Sequence, residues 1–137
     1  ITQKKLYRSD EYQRLVDTYR LFVREVLAPL CGGPENAGGE NDTGGNNNHL
    51  VYQCPPTTRV VFPNGRRTIS LHSDKDYKDH QPSEINFWIP LTKVWGNNSL
   101  WLESLPGKND YCPVELDYGQ CLRFDGYECR HFTVHND

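Results

Sequence analysis

The 137-residue sequence lacks long apolar runs and lacks a strong excess of one charge. None of its hydrophobic segments approaches the roughly 20 residues that a membrane-spanning helix needs, so we expect no membrane partner. Its 15 Lys and Arg residues stand against 18 Asp and Glu residues, which gives a net charge of −3. This balance predicts no broad basic surface for nucleic acid. The default expectation is a cytoplasmic protein of undetermined oligomeric state. Because the chain begins with Ile1, an upstream targeting segment stays an alternative.

The cysteine pattern lacks any Cys-x-x-Cys pair, and the number of cysteines is odd. A structural zinc site is therefore not expected. The simplest interpretation is a set of reduced thiols, and the alternative is a secreted protein with one or two disulfides. The residues concerned are Cys31, Cys54, Cys112, Cys121 and Cys129.

The amino-terminal part predicts one amphipathic helix followed by a polar loop. Ser9 is a suitable N-cap, apolar residues recur from Leu15 to Leu27 at three and four spacing, and Pro29 is expected to end the helix. Residues 32–48 are rich in Gly and Asn and contain no apolar residue larger than alanine. This segment predicts a flexible surface loop.

From residue 50 onward, short β-prone segments alternate with turn signals. The segments are Leu50–Gln53, Arg59–Phe62, Thr68–His72, Glu84–Leu91, Ser99–Ser104, Val114–Asp117, Cys121–Phe124 and Cys129–Val134. Around eight short strands and one helix predict an all-β core with an N-terminal helix. The expected fold is a double-stranded β-helix, the cupin-like jelly roll, as a single domain over residues 1–137.

The stretch from Ile69 to Asp74 carries a candidate metal site. In an extended segment, alternate side chains point the same way, so His72 and Asp74 would share one face, roughly 7 Å apart along the strand. A third ligand is expected from His131. Two histidines and one carboxylate with other positions open are typical of the facial triad of non-haem Fe(II) oxygenases.

Two long segments in the second half of the chain carry a family resemblance. Residues 98–107 end in Pro106-Gly107, and residues 114–126 end in Gly119-Gln120-Cys121-Leu122-Arg123-Phe124-Asp125-Gly126. With Arg130-His131 they resemble Fe(II)/2-oxoglutarate-dependent dioxygenases of the phytanoyl-hydroxylase-like kind. The resemblance implies Fe(II) and 2-oxoglutarate as cofactors and His72, Asp74 and His131 as the metal ligands.

Three further segments, 54–60, 72–77 and 84–92, resemble the StrG-type proteins associated with streptomycin biosynthesis. The likeness covers about residues 50 to 137. It implies an enzyme that uses O2 to oxidise, most simply to hydroxylate, a small polar metabolite. By the same analogy, substrate-binding candidates are Tyr77, His80 and Trp88, and Asn86 is a cofactor-binding candidate, although core packing explains Trp88 equally well.

One family feature has no counterpart in the sequence. In this superfamily an arginine beyond the distal histidine usually holds the far carboxylate of 2-oxoglutarate, and this chain stops at Asp137. We expect that the closing strand is missing from this sequence. Arg59 and Arg123 are alternative anchors.

Two other functions stay open at this stage. The first is a catalytically inactive jelly-roll module with a structural or interaction role. The second is a cupin-like metal enzyme, or a sugar-binding sandwich, that does not use 2-oxoglutarate.

Overall fold

The computed structural model describes residues 7–31, 50–63 and 66–136. These residues divide into a helical unit within the first 59 positions and a strand unit from Val60 onward. The predicted loop at residues 32–48 lies outside the described residues. The single-domain organisation stays a prediction, and each unit is described by itself.

The helical unit is one continuous helical stretch with a widened middle turn. It consists of α1 (Asp10–Phe22), a π-helix (Val23–Leu27) and α2 (Ala28–Leu30). Ser9 caps the start, because its hydroxyl accepts a hydrogen bond of 3.2 Å from the backbone N–H of Tyr12. Within residues 7–31 and 50–59, the buried side chains are all apolar: Val16, Val23 and Leu27.

The helical prediction is confirmed for the start of the helix and needs a small correction at its end. Pro29 was expected to end the helix, yet the chain remains helical through Leu30. Pro29 comes just after the π-helix and contributes no N–H, and the N–H of Cys31 beyond it still donates to the carbonyls of Leu27 and Ala28.

The segment at residues 50–63 corrects two strand predictions. No strand forms in these described positions, so Leu50–Gln53 and Arg59–Phe62 are not strands. Val51 is 91% exposed, and the Gln53 carbonyl accepts a hydrogen bond from the Tyr19 hydroxyl at 2.9 Å instead of joining a ladder. β-propensity reflects packing on a pleated surface, so without a partner strand it does not produce a strand here.

Over residues 60–63 and 66–136, the strand unit contains five short strands in two antiparallel sheets. They are β1 (Asn86–Trp88), β2 (Leu100–Leu102), β3 (Cys112–Pro113), β4 (Leu122–Phe124) and β5 (His131–Thr133). The first sheet pairs β1 with β4, and the second has the order β3-β2-β5. The mostly β character with one N-terminal helix is confirmed for the described residues, and closure into a jelly roll stays a prediction.

Residues 68–72 extend the second sheet along the free side of β5 without forming a regular strand. His72 and His131 exchange both backbone hydrogen bonds, at 3.2 and 2.8 Å. Further along, the Thr133 hydroxyl accepts from the backbone N–H groups of Thr68 and Ile69 at 3.0 and 2.9 Å. The pairing fixes the segment that carries the first predicted ligand directly beside the segment that carries the last.

The interior of the strand unit buries several polar side chains beside the apolar Val94, Leu100 and Cys129. Ser73, Ser99 and Glu103 are each 1% exposed. The Glu103 carboxylate accepts backbone hydrogen bonds from Arg130 at 2.6 Å and from Asn109 at 3.0 Å. These two donors, led by Arg130, lower the pKa of Glu103 below its ordinary value of 4.5. Glu103 thereby ties the end of β2 to the residue that precedes β5.

Candidate metal centre

His72, Asp74 and His131 converge on one point of the strand unit. The Oδ1 atom of Asp74 lies 3.5 Å from Nε2 of His72 and 3.7 Å from Nε2 of His131. Metal bonds of about 2.1 Å place neighbouring donors about 3.0–3.4 Å apart, so these separations fit a bound divalent ion after a small contraction. Asp74 is 5% exposed and His131 6% exposed, whereas His72 is half-buried. The three residues can therefore hold a metal ion.

The backbone sets the orientation of both imidazole rings. Nδ1 of His72 is 2.7 Å from the Ser70 carbonyl oxygen, and Nδ1 of His131 is 3.1 Å from the Cys129 carbonyl oxygen. A carbonyl only accepts, so each Nδ1 carries the hydrogen. With the hydrogen on Nδ1, a ring that binds a metal as neutral imidazole presents the lone pair of Nε2 toward Asp74.

The Asp74 carboxylate is held in place by the first sheet. Asn86 of β1 donates from Nδ2 to Oδ2 of Asp74 at 2.8 Å, and its own Oδ1 accepts the backbone N–H of Gly126 at 3.2 Å. The Gly126 carbonyl in turn accepts the backbone N–H of Asp74 at 2.8 Å. A Cβ atom at Gly126 would lie 2.6 Å from the Asn86 side chain, so only glycine fits there without displacement.

The local backbone around Asp74 differs from the sequence expectation. Asp74 does not continue an extended strand but begins a 3-10 helix, Asp74–Asp76. Ser73 caps this turn, because its backbone N–H and hydroxyl both donate to the Asp76 carboxylate, at 3.0 and 3.3 Å. The same hydrogen bonds lower the pKa of Asp76. The side chains still meet, since Oδ1 of Asp74 lies 3.5 Å from Nε2 of His72.

A second group of side chains lies on the Oδ2 side of Asp74. His80 Nδ1 is 4.0 Å from Oδ2 of Asp74 and 2.9 Å from Oε2 of Glu84. Asp74, His80 and Glu84 thus form another set with metal-ligand donors. Tyr77 lies between the two groups, with its ring 5.2 Å from His72 and 6.2 Å from His80.

The remaining predicted site residues are distributed less closely. Trp88 is half-buried and lies two residues from Asn86 in β1, so their side chains share one face. Arg123 is exposed in β4, and its neighbour Phe124 has its ring 5.3 Å from that of His131. Because side chains alternate, Arg123 points away from this contact. Arg59 is exposed at the end of the helical unit. Their cofactor and substrate roles stay predictions.

Three functional residues were missed by the sequence reasoning. Glu84 follows His80 at a spacing of four, which was a usable signal. Gly126 appeared only as a landmark of the family resemblance, without a physical role. Glu103 gave no signal, because its burial depends on backbone donors from Asn109, six residues away, and from Arg130, 27 residues away, that no local pattern indicates.

Comparison with known proteins gives one informative match. The streptomycin biosynthesis protein StrG of Streptomyces griseus is 43% identical over 88 residues, which is 64% of this chain and 40% of StrG. The chain is similar to StrG. It spans less than half the length of that relative. The resemblance to StrG-type proteins is confirmed, whereas membership of the dioxygenase superfamily stays a prediction.

Other comparisons add nothing further. No protein-family model matches the chain, and no solved structure matches it. Among the described helices, none is long and apolar enough to cross a membrane.

Proposed function

We propose that this chain carries the metal centre of a non-haem Fe(II)/2-oxoglutarate-dependent dioxygenase that oxidises a small polar metabolite. The observation that carries the proposal is the arrangement of His72, Asp74 and His131. Both Nδ1 atoms donate to backbone carbonyls, so both Nε2 lone pairs face the same carboxylate oxygen. Two imidazoles and one carboxylate with open positions are the ligand set of this enzyme class.

The residues around the ligands support the same chemistry. With 2-oxoglutarate and O2, a bound Fe(II) ion supplies the oxidation of a C–H bond. Asn86 fixes the plane of the Asp74 carboxylate, and the paired backbones of His72 and His131 fix the distance between the imidazoles. Phe124 packs its ring against His131 and shields that side from water.

The similarity to StrG favours an enzyme over an inactive module. StrG is named as a streptomycin biosynthesis protein, and this chain matches 40% of it. Biosynthesis of a small polar natural product is consistent with oxidation of a small polar substrate. We extend that inference to this chain as part of the proposal.

The first test is an anaerobic Fe(II) titration of the protein with and without 2-oxoglutarate. The chelate of 2-oxoglutarate on Fe(II) gives a weak visible charge-transfer band. We expect the band in the parent and its loss in His72→Ala, because two remaining ligands hold the ion poorly. The matched control is His135→Ala, since His135 is exposed and outside the ligand set.

The outcomes separate the candidate functions. A band that survives in His72→Ala contradicts the assigned ligand set. Iron binding by the parent without any band favours either a chain that lacks the 2-oxoglutarate anchor or the cupin-like metal enzyme that does not use 2-oxoglutarate. No iron binding by the parent favours the inactive module.

A further inference from the structure

The Asp74 carboxylate lies between two groups of potential ligands, one at each oxygen. Oδ1 faces His72 and His131 at 3.5 and 3.7 Å. Oδ2 faces His80 at 4.0 Å, and His80 is in turn within 3.0 Å of both carboxylate oxygens of Glu84. The proposed function uses only the Oδ1 side.

We propose that Asp74, His80 and Glu84 form a second divalent-cation site and that Asp74 bridges the two ions. This inference goes beyond the proposed function and shares only Asp74 with it. One donor atom from each of the three residues lies within 4.8 Å of the other two. Carboxylate-bridged pairs of ions are typically about 3.5–4 Å apart.

The donor separations suit an ion with short bonds to oxygen and nitrogen. Bonds of about 2.1 Å at right angles place two donors about 3.0 Å apart, and opposite donors about 4.2 Å apart. Nδ1 of His80 is 2.9 Å from Oε2 of Glu84, close to the first value, and 4.0 Å from Oδ2 of Asp74, close to the second. The ion replaces the hydrogen atom in the hydrogen bond between His80 and Glu84. That hydrogen leaves as a proton.

The hydrogen bond from Asn86 leaves Asp74 able to bridge. Asn86 donates one hydrogen bond to Oδ2 at 2.8 Å. An ionised carboxylate oxygen has two lone pairs, so Oδ2 retains one for a cation. Because Asn86 also holds Gly126, the carboxylate plane stays fixed whether the second ion is present or not.

Exposure distinguishes the second site from the first. The side chains of His80 and Glu84 are 33% and 34% exposed, against 7% for Asp74 and 8% for His131. An ion on the Oδ2 side therefore retains water molecules that a hydroxyl or carboxylate group of a substrate can displace. Two carboxylates and one imidazole favour a hard or borderline ion such as Mn(II).

The competing interpretation is an ordinary hydrogen-bonded pair of His80 and Glu84 that binds no ion. Titration with Mn(II) alone, followed by electron paramagnetic resonance, separates the two. We expect two equivalents in the parent, with signals broadened by coupling between neighbouring ions. Glu84→Gln and His80→Asn should each bind one equivalent and give an uncoupled signal, as should His72→Ala through loss of the other ion.

The titration has one control variant and several results that would contradict the second site. Glu115→Gln removes one exposed carboxylate of the strand unit and should retain two equivalents. In one contrary result, the parent binds one equivalent that is unchanged in Glu84→Gln and His80→Asn and lost in His72→Ala. That result overturns the second site but leaves the proposed function intact. Two equivalents in both Glu84→Gln and His80→Asn also overturn the second site. No binding in the parent overturns both proposals.

Discussion

The interiors of the two units differ in kind. In the helical unit the buried residues are Val16, Val23 and Leu27, and all of them are apolar. In the strand unit the most deeply buried residues are Ser73, Ser99 and Glu103, each with hydrogen bonds to the backbone or to a nearby side chain. The strand unit also buries Val94, Leu100 and Cys129, so its interior combines apolar burial with directed hydrogen bonds, whereas the described interior of the helical unit is apolar.

Because of this difference, we expect the two units to tolerate different kinds of substitution. An apolar interior depends mainly on volume, so a similar hydrophobic residue can replace another at small cost. A polar interior depends on the direction of each donor and acceptor, so even a change of one atom type leaves a buried group unsatisfied. The candidate metal centre lies in the polar interior, where directions are fixed.

The largest expected effect on stability is in the helical unit. Leu27→Ala should lower the free energy of unfolding by about 2–5 kcal/mol, because it removes buried methyl groups and leaves a cavity. Leu27→Met, which nearly conserves volume, should cost less than about 1.5 kcal/mol. Urea unfolding measures both. Equal losses for the two substitutions would contradict an interior determined by volume.

The next effect tests the fixed directions in the strand unit. Gly126→Ala should cost about 1–3 kcal/mol, because its Cβ would lie 2.6 Å from the Asn86 side chain. In an Asn86→Ala background the contact is absent and the added cost should vanish. A double-mutant cycle by urea unfolding measures this coupling. If the losses of stability from Gly126→Ala and Asn86→Ala simply add in the double mutant, the Asn86–Gly126 contact is not the cause of the Gly126→Ala loss.

Asn86→Ala should also weaken metal binding about 10–100-fold, since outer hydrogen bonds to a ligand typically have effects of this size. The matched control is Asn97→Ala, whose side chain is exposed. Isothermal titration with Fe(II) under anaerobic conditions gives the affinities. Equal affinity in the parent and Asn86→Ala would show that Asn86 does not orient Asp74.

The smallest effect concerns acid stability and Glu103. Its pKa is lowered in the folded state by the N–H groups of Arg130 and Asn109. Its stabilising contribution is therefore complete above the ordinary value of 4.5 and is lost as the pH falls through the lowered folded-state pKa. Glu103→Gln should lower the midpoint of thermal unfolding at neutral pH. It should also make the midpoint decline less steeply as the pH falls below 4.5. An unchanged acid decline would contradict this role.

The sequence predicts much of the fold wherever the pattern and the tertiary structure agree. The helix start follows from Ser9 and the apolar spacing, and β1, β2, β4 and β5 all lie within predicted strands, although each is shorter. The prediction at Val114–Asp117 yields only a bridge between Leu116 and Val94, while β3 forms just before it. Register decides such boundaries, and a single sequence carries little information about register.

For the site, the sequence identifies the residues but not their supporting contacts. His-x-Asp is a local pattern that indicated His72 and Asp74, His131 was proposed as the third ligand, and the family resemblance implied the same three residues. The structure places these residues together. The contact of Asn86 with Gly126 joins β1 to the turn after β4, 40 residues further along the chain, so no local pattern reveals it. Glu84 and His80 are close in sequence, but their relation to Asp74 depends on the 3-10 turn.

Because His72 and His131 pair reciprocally through their backbones, binding of an ion at the candidate metal centre would depend on the alignment of these two segments. A shift of the pairing by one residue would turn the His131 side chain to the opposite face of the sheet. An ion that needs both imidazoles then binds only chains with the native alignment, and mass action enriches those chains at the expense of misaligned ones. The presence of the ion during refolding would thus favour chains in which these two segments are correctly aligned.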